Sequence, residues 1–493
     1  MNNKTVEVEN CDLCVIGLGI SGLNALNSAS QYLSINDKII VVDKRNPSSS
    51  VGGMWNVAYP FVRLHQPHPL FTVGNKKWKL NQNPGYLAKR EEIVAHFQNC
   101  YSDLKSELNI TEKFNYEYQG HEEVKAGDDY EVYIKFKSTG DNLPPLLVKA
   151  KRCIKSIGFN ISPNQPMEFS SNKVNSIIPE TADLMSGKVA KSGNLVYIVG
   201  GGKTSMDVAT LLLNQNPKLK LNFIIGKGTY FFNRDIFFPQ GFKRNWTGRT
   251  VNEALMDITL RYDKDNLESA IQCIRETYCV GPFSKATHNL FGILSPSESR
   301  FIEEGVQEAI YDYLNDVIEK EGRLFINYRS GKQQHVESGS WFINCTGYMF
   351  AKKENSESTL SSHGKVLSVN KSRSTLGFTS LEGYFLPHLW FRDLFKDVPI
   401  YELNHADLAK KSKEAFLFGA SAQIIHNTLS IFESLPFKVI NDCGLNFEKW
   451  YPLHRQAFVL MKLLLNKKQY LYQISDVLEH IRNTYKVEGG FIK

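Results

Sequence analysis

The 493-residue sequence predicts an α/β fold of two wound, mostly parallel sheets, the second inserted in the first, with a helical C-terminal extension. Two stretches carry that prediction. In residues 12–43 an apolar strand runs into Gly17-Leu18-Gly19-Ile20-Ser21-Gly22, a helix-compatible segment follows, and a second apolar strand ends on Asp43. In residues 195–228 the same device returns. An apolar strand leads into Gly200-Gly201-Gly202-Lys203-Thr204-Ser205, then come a helix and a strand ending at Gly226-Lys227-Gly228. Strand, glycine triad, helix and strand in that order form the Rossmann-like βαβ unit that binds a dinucleotide. Gly17 permits the tight turn, Gly19 lets backbone approach a pyrophosphate, and Gly22 lets helix and strand pack closely. Asp43 falls where a ribose hydroxyl finds its acceptor, about 20 residues beyond the triad. In the second unit that neighbourhood holds Lys227 instead. Lys203 and Lys227 are within reach of a ribose 2′-phosphate, with solvated surface lysines as the alternative.

The remaining elements follow in order. After Asp43-Lys44, the paired glycines Gly52-Gly53 and Trp55 form a loop able to pass close under a cofactor. Residues 56–74 are dense in prolines and aromatics and contain His65, Gln66 and His68, which marks them as a functional loop or a rigid braced one. A helix is expected over 86–108. Alternating strands around glycine turns then form an antiparallel meander to residue 148, and a further strand follows over 152–158. Helical pattern is expected over 252–276 and 298–319, and a strand over 341–345 ends on Thr346-Gly347. Ala415-Phe416-Leu417-Phe418 reads as a strand, with Gly419 opening a helix beside a polar cofactor group. The expected division is 1–165 for the first part of the first unit, 166–336 for the second unit, and 337–493 for the return with C-terminal helices.

Composition excludes several classes. The net charge of +7 comes from 58 basic and 51 acidic residues spread along the chain, with no basic and aromatic cluster to bind nucleic acid. No run approaches the roughly 18 apolar residues of a membrane span. Residues 457–465 are broken by Lys462 and are expected to dock on the core. Eight scattered cysteines point to a reducing, cytoplasmic setting. Cys11 and Cys14 sit three apart on one strand, about 10 Å from each other, too far for a disulfide.

Gly17-x-Gly19-x-x-Gly22, Asp43, Gly52-Gly53-x-Trp55, Tyr59-Pro60 with Arg63, Gly200-x-Gly202-x-x-Ser205 and Cys345-Thr346-Gly347-Tyr348 together resemble the flavin-containing monooxygenase group. The resemblance runs from about residue 12 to 348. It implies FAD in the first unit, held by Gly17, Gly19, Ile20, Ser21, Gly22, Asp43, Lys44, Gly53 and Trp55. It implies NADPH in the inserted unit, held by Gly200, Gly202, Lys203, Thr204, Ser205 and Lys227. The Thr-Gly-Tyr strand would return to the flavin unit, with Gly347 and Gly419 completing the cofactor contacts. Trp55, His65 and Gln66 would lie beside the isoalloxazine as the catalytic residues. The implied activity is an NADPH-consuming, FAD-dependent oxidoreductase, with hydride transfer to flavin and then reaction with molecular oxygen on a small-molecule substrate. One signature of the group is missing: no histidine occurs between Gly158 and Gly200. The chain looks closest to bacterial-type oxidoreductases sharing Tyr59-Pro60-x-x-Arg63-x-His65-Gln66-Pro67. A flavin reductase without oxygen insertion and a non-catalytic dinucleotide-binding scaffold remain open.

Overall fold

The structure, a computed structural model, describes residues 6–140, 143–158, 163–262, 266–289, 291–347, 357–369 and 372–492. Tyr348 of the Thr-Gly-Tyr motif lies outside them. The first sheet starts with β1 (Glu7–Ile16), followed by α1 (Ile20–Ala29) and β2 (Lys38–Asp43). Next come α2 (Arg90–Glu107) and β3 (Asn109–Phe114), then the antiparallel run β4 (Tyr116–Ala126), β5 (Asp129–Ser138) and β6 (Leu146–Lys155). The strand order is β3-β2-β1-β6-β5-β4, so the meander is continuous with the parallel sheet rather than separate from it. The segments expected as two strands at 146–148 and 152–158 are one, because β6 pairs with β5 along its first half and with β1 throughout. Cys14 is buried opposite Cys153 in that pairing, a core position for a thiol.

The second sheet uses β7 (Asn175–Ile177), the short helices α3 (Ala182–Met185) and α4 (Lys188–Lys191), β8 (Val196–Val199), α5 (Lys203–Gln215) and β9 (Leu221–Ile224). An excursion follows through β10 (Phe231–Asn233), α6 (Arg234–Phe237), α7 (Val251–Leu260), α8 (Leu267–Tyr278), β11 (Cys279–Val280) and β12 (Ile293–Leu294). The chain continues as α9 (Pro296–Gly305), β13 (Glu308–Ile310), the antiparallel β14 (Leu314–Lys320), β15 (Arg323–Tyr328) and β16 (Gln333–Val336), and β17 (Trp341–Asn344). The helix expected over 298–319 therefore stops at Gly305. Beyond Val306 the β-branched and aromatic residues pair as strands, Val317 facing Ile326 across the β14–β15 hairpin.

All neighbours in β13-β9-β8-β17-β7 are parallel. That placement corrects the expected boundary at 337, because β17 belongs to the second sheet. The chain rejoins the first sheet only at β18 (Val366–Ser368), parallel to β6.

The C-terminal region is helical: α10 (Thr379–Phe391), then β19 (Tyr401–Leu403), α11 (His405–Lys411), α12 (Lys413–Ser434), α13 (Phe437–Asp442), α14 (Leu453–Leu465), α15 (Lys467–Tyr485) and β20 (Gly489–Phe491). The fold class is the expected one: α/β, with two Rossmann-like units and a helical C-terminal extension. Helix α12 is long and apolar enough to cross a membrane, but 89% of its most apolar window is buried inside the protein. It also overturns the reading of residues 415–418 as a strand. A helix buried on nearly every side shows no period, so its sequence looks like a short core strand. Helix α14 departs from its core-docked reading too, since only Val459 and Leu463 are buried while Leu453, Phe458, Met461, Leu464 and Leu465 face outward.

Two glycine cradles and the cluster between them

The two glycine loops repeat each other down to single hydrogen bonds. Gly17 N donates to Val42 O and Gly200 N to Ile224 O, both at 2.8 Å. Ser156 N donates to Ile16 O and Cys345 N to Val199 O, both at 2.9 Å. A Cβ on Gly17 would lie 2.5 Å from the Ser156 carbonyl oxygen, and one on Gly200 would lie 2.5 Å from that of Cys345. Both residues have positive φ, +95° and +120°, so glycine is required twice over. Ser156 and Cys345 thus end corresponding strands, each closing its loop from the side.

In the first cradle Gly22 packs on Gly17, where a Cβ would come within 1.9 Å of the Gly17 carbonyl oxygen. Gly19 is different: its φ is −75°, and a Cβ there would meet only the Gly53 Cα, at 3.5 Å. The space in front of Gly19 is therefore a gap that a side chain would fill, bounded on its far side by Gly53. That arrangement fits a pyrophosphate approached by bare backbone at the start of α1, beside Ile20. The Ser21 hydroxyl is turned inward and donates to Thr379 Oγ1 at 3.0 Å, tying α1 to α10. Asp43 is buried, with Oδ2 accepting from Leu18 N at 3.0 Å and Oδ1 from Arg45 N at 2.9 Å. Burial pushes its carboxyl above the usual range, while those two bonds pull the other way. Each oxygen keeps a lone pair for a ribose hydroxyl. Lys44 follows at the strand end, where its carbonyl accepts from Thr139.

In the second cradle a Cβ on Gly202 would project into open space, so this loop also offers bare backbone at a helix start. Ser205, at the third glycine position, is fully buried. Lys227 is exposed just beyond β9. It contributes to depressing the pKa values of both His288 and Lys413, and Lys413 Nζ lies 3.3 Å from His288 Nδ1. Burial comes first in both shifts and holds His288 at about 4. Three basic groups from three elements thus gather at the end of the strand where a 2′-phosphate is expected.

Lys203 has a partner of its own, apart from the group around Lys227. Its ammonium is ion-paired with Asp207 one helical turn on, and Asp207 Oδ2 accepts from the Tyr59 hydroxyl at 2.7 Å. Tyr59 is buried and also meets Thr204, with its pKa raised by burial first and then by Asp207. Beside this chain, Arg234 Nε donates to the His65 carbonyl at 2.9 Å and its guanidinium pairs with Glu298 at 2.6 Å. Burial would raise the Glu298 carboxyl, but Arg234 and Lys203 hold it at about 2. Burial drives the His65 imidazole down to about 3, and Lys203 and Arg234 add to that. The loop after the first cradle is therefore bolted to the second unit through Tyr59 and His65.

The remaining expected residues fall in three places. Trp55 lies in the 3-10 turn Gly53–Asn56 beside the first cradle, edge-on to Phe71 at 5.7 Å. Gln66 is half-buried next to His65. His68 has a structural role, buried with Nδ1 3.1 Å from the Tyr86 carbonyl. Gly347 is exposed past the end of β17, next to Thr346, whose carbonyl accepts from Asn164 at 2.7 Å. Gly419 is not at a cofactor loop. It sits inside α12, where a Cβ would meet Leu408 at 3.0 Å and Leu403 at 3.1 Å.

The helix that does close on the first cradle, α10, was not foreseen. A Cβ on its Gly383 would lie 2.3 Å from the Ser21 carbonyl oxygen. Gly377 followed by Thr379-Ser380 before an apolar repeat was the available signal, obscured by Pro387 inside the helix. Arg234, Asp207 and Glu298 carried no motif at all.

No family model matches the chain. Proteins of Mycobacterium tuberculosis and Mycobacterium bovis described as uncharacterized are 27% identical over 253 residues, covering 48% of this chain and 42% of theirs. The chain thus matches less than half the length of these curated relatives. Among solved structures, a bacillithiol disulfide reductase from Bacillus cereus is 11% identical with a TM-score of 0.42, covering 78% of this chain and 100% of that one. An ornithine hydroxylase from Pseudomonas aeruginosa is 11% identical with a TM-score of 0.46, over 78% and 99%. A flavin-containing monooxygenase from Stenotrophomonas maltophilia is 14% identical with a TM-score of 0.46, over 78% and 99%.

Proposed function

We propose that the protein is an FAD-dependent, NADPH-consuming oxidoreductase of monooxygenase-like type, acting on a small molecule. The observation that carries this reading is the pair of glycine cradles, matched bond for bond, with an acid beside the first, a basic patch beside the second and a polar bridge between them. Two dinucleotide sites joined in one chain suit hydride transfer from one cofactor to the other. FAD and NADPH would supply the redox chemistry, and oxygen would be the final oxidant.

The chain's own residues bind and orient. Gly19 and Gly53 leave room for the FAD pyrophosphate at Ile20 and Ser21, on a turn that Gly17 and Gly22 make possible, with Asp43 accepting from the ribose and Lys44 adjacent. Gly200, Gly202, Thr204 and Ser205 form the NADPH loop, Lys227 and Lys413 offer positive charge to the 2′-phosphate, and the neutral His288 imidazole beside them can serve as a hydrogen-bonding group. Trp55, His65 and Gln66 supply the protein surface between the cradles. His65, with its pKa near 3, is neutral at physiological pH and acts as a hydrogen-bonding and packing group rather than a proton carrier. All eight cysteines are free, which supports a reducing, cytoplasmic setting.

The test is an absorbance spectrum of the purified protein before and after NADPH, without oxygen. A flavin spectrum that bleaches on NADPH addition is expected, and a colourless protein overturns the reading. A reductase that does not insert oxygen is the second reading, favoured by the neutral His65 and the absence of histidine between Gly158 and Gly200. Peroxide released per NADPH oxidised separates the two: a substrate that suppresses it nearly completely supports oxygen insertion.

A further inference from the structure

Helix α10 has two working faces. Thr379 and Gly383, four apart, meet Ser21 of α1. Leu381 and Phe385 lie on another face and, with Phe378 at the N-cap, line a cavity of about 80 Å³ that opens to solvent. Its other walls come from β10, α6 and α7 of the excursion and from α12. Phe232 and Phe237 in that wall flank Arg234, which holds the His65 carbonyl. The cavity thus shares α10 with the first cradle, and its wall includes Phe232 and Phe237 on either side of Arg234 in the chain.

The chemistry of the walls is one-sided. Eight of the nineteen lining residues are phenylalanine and eight more are Val, Leu or Ile, so a polar ligand would find few partners. Among the described residues no charged side chain lines the space. The aromatic edges are already in place: Phe447 meets Phe378 edge-on at 5.6 Å and Phe238 at 5.5 Å. Only Asn252, Thr428 and Asn446 are polar. The Asn446 side chain is committed, its Oδ1 accepting from Glu448 N at 3.1 Å. Among the described residues the Asn252 side-chain amide and the Thr428 hydroxyl have no protein hydrogen bond, while the Asn252 backbone N–H donates to Glu448 Oε1 at 2.8 Å.

We infer that this cavity is the substrate site, an inference that rests on the oxidoreductase reading above, and that its substrate presents a neutral, apolar group to it. An aromatic ring would pack on the phenylalanine walls, with one hydrogen-bonding group presented to Asn252 or Thr428. A zwitterionic amino acid is disfavoured, because its charges would be desolvated with nothing to pair them.

The test uses the full chain as purified and Nile red, a neutral solvatochromic probe, read by fluorescence. Saturable binding is expected, with displacement by naphthalene and none by L-lysine at equal concentration. Two substitutions on different walls, Thr428→Trp and Leu381→Trp, should each weaken probe binding at least tenfold, with the unfolding midpoint as folding control. Displacement by L-lysine, absence of saturable binding to the unaltered chain, or undiminished binding in both folded variants would overturn the inference. The wild-type competition decides the matter even if a variant fails to fold. Flavin content is scored separately: a colourless protein sinks the oxidoreductase reading, whereas a flavoprotein failing the probe test sinks the cavity alone.

Discussion

Gly17 and Gly19 lie two residues apart in one motif, yet the structure separates their roles. At Gly17 both the positive φ and the 2.5 Å approach to the Ser156 oxygen forbid a side chain. Gly17→Ala should therefore destabilise the fold by about 1–3 kcal/mol, seen as a lowered unfolding midpoint. At Gly19 the backbone is extended and a methyl group would meet only Gly53, so Gly19→Val should fold with a near-normal midpoint and lose FAD. A folded Gly19→Val protein with stoichiometric flavin would refute the cradle. Glu382 offers a pH test. It is fully buried in the first turn of α10, with Oε1 accepting from the Thr375 hydroxyl at 2.9 Å, and burial raises its pKa from 4.5 to about 8. A raised carboxyl pKa means the unfolded chain releases its proton first. The associated stability is full below about pH 4.5 and is lost as pH rises towards about 8. Glu382→Gln should flatten that part of the stability profile, measured as unfolding midpoint against pH. The glycines and Asp43 were legible in the sequence because backbone geometry dictates them. Glu382 was not, since nothing local marks a carboxyl for burial.

Among the elements, those with a strong period or a turn chemistry of their own could be read, and those buried on all sides could not. Helix α1 announces itself between a glycine triad and a strand. Helices α10 and α12 are almost wholly enclosed, with apolar residues on every side, so the sequence shows neither stripe nor alternation. Their glycines now divide by contact. Gly383 is where α10 touches the backbone of α1, and Gly383→Ala should force the helices apart, with a cost of about 1–3 kcal/mol and weaker flavin retention. Gly419 faces leucine side chains that can shift by a few tenths of an ångström, and alanine favours a helix over glycine by about 1 kcal/mol. Gly419→Ala should stay within about 1 kcal/mol of the parent and keep its full flavin content. Flavin loss in Gly419→Ala, with the midpoint unchanged, would restore the role that the sequence alone had given it.

For the molecule as a whole, the sequence disclosed two dinucleotide units but not how they meet, because the bridge joins residues from distant segments with no motif of their own. Tyr59 reaches Asp207, and Arg234 links the His65 carbonyl to Glu298. This geometry separates the two lysines that sequence position had grouped. Lys203 is spent on Asp207, both side chains being only 14% and 16% exposed, and its charge falls on His65 and Glu298. Removing it leaves Asp207 without its cation at the junction of the sheets. Lys203→Ala should therefore slow flavin reduction by NADPH and NADH alike and lower the unfolding midpoint. Lys227 is exposed beyond β9 with His288 and Lys413 nearby, where a 2′-phosphate would add two negative charges. A hydrogen bond to a charged group contributes about 1.5–3 kcal/mol, and each 1.4 kcal/mol or so is tenfold in affinity. Lys227→Ala should thus cut the NADPH-to-NADH ratio of flavin-reduction efficiencies by roughly tenfold, less if water screens the site. Its stability should stay near that of the parent. Raising the salt concentration should shrink the preference of the unaltered protein and leave that of Lys227→Ala nearly flat. A ratio that falls in Lys203→Ala and holds in Lys227→Ala would reverse the assignment and put the 2′-phosphate at the bridge between the sheets.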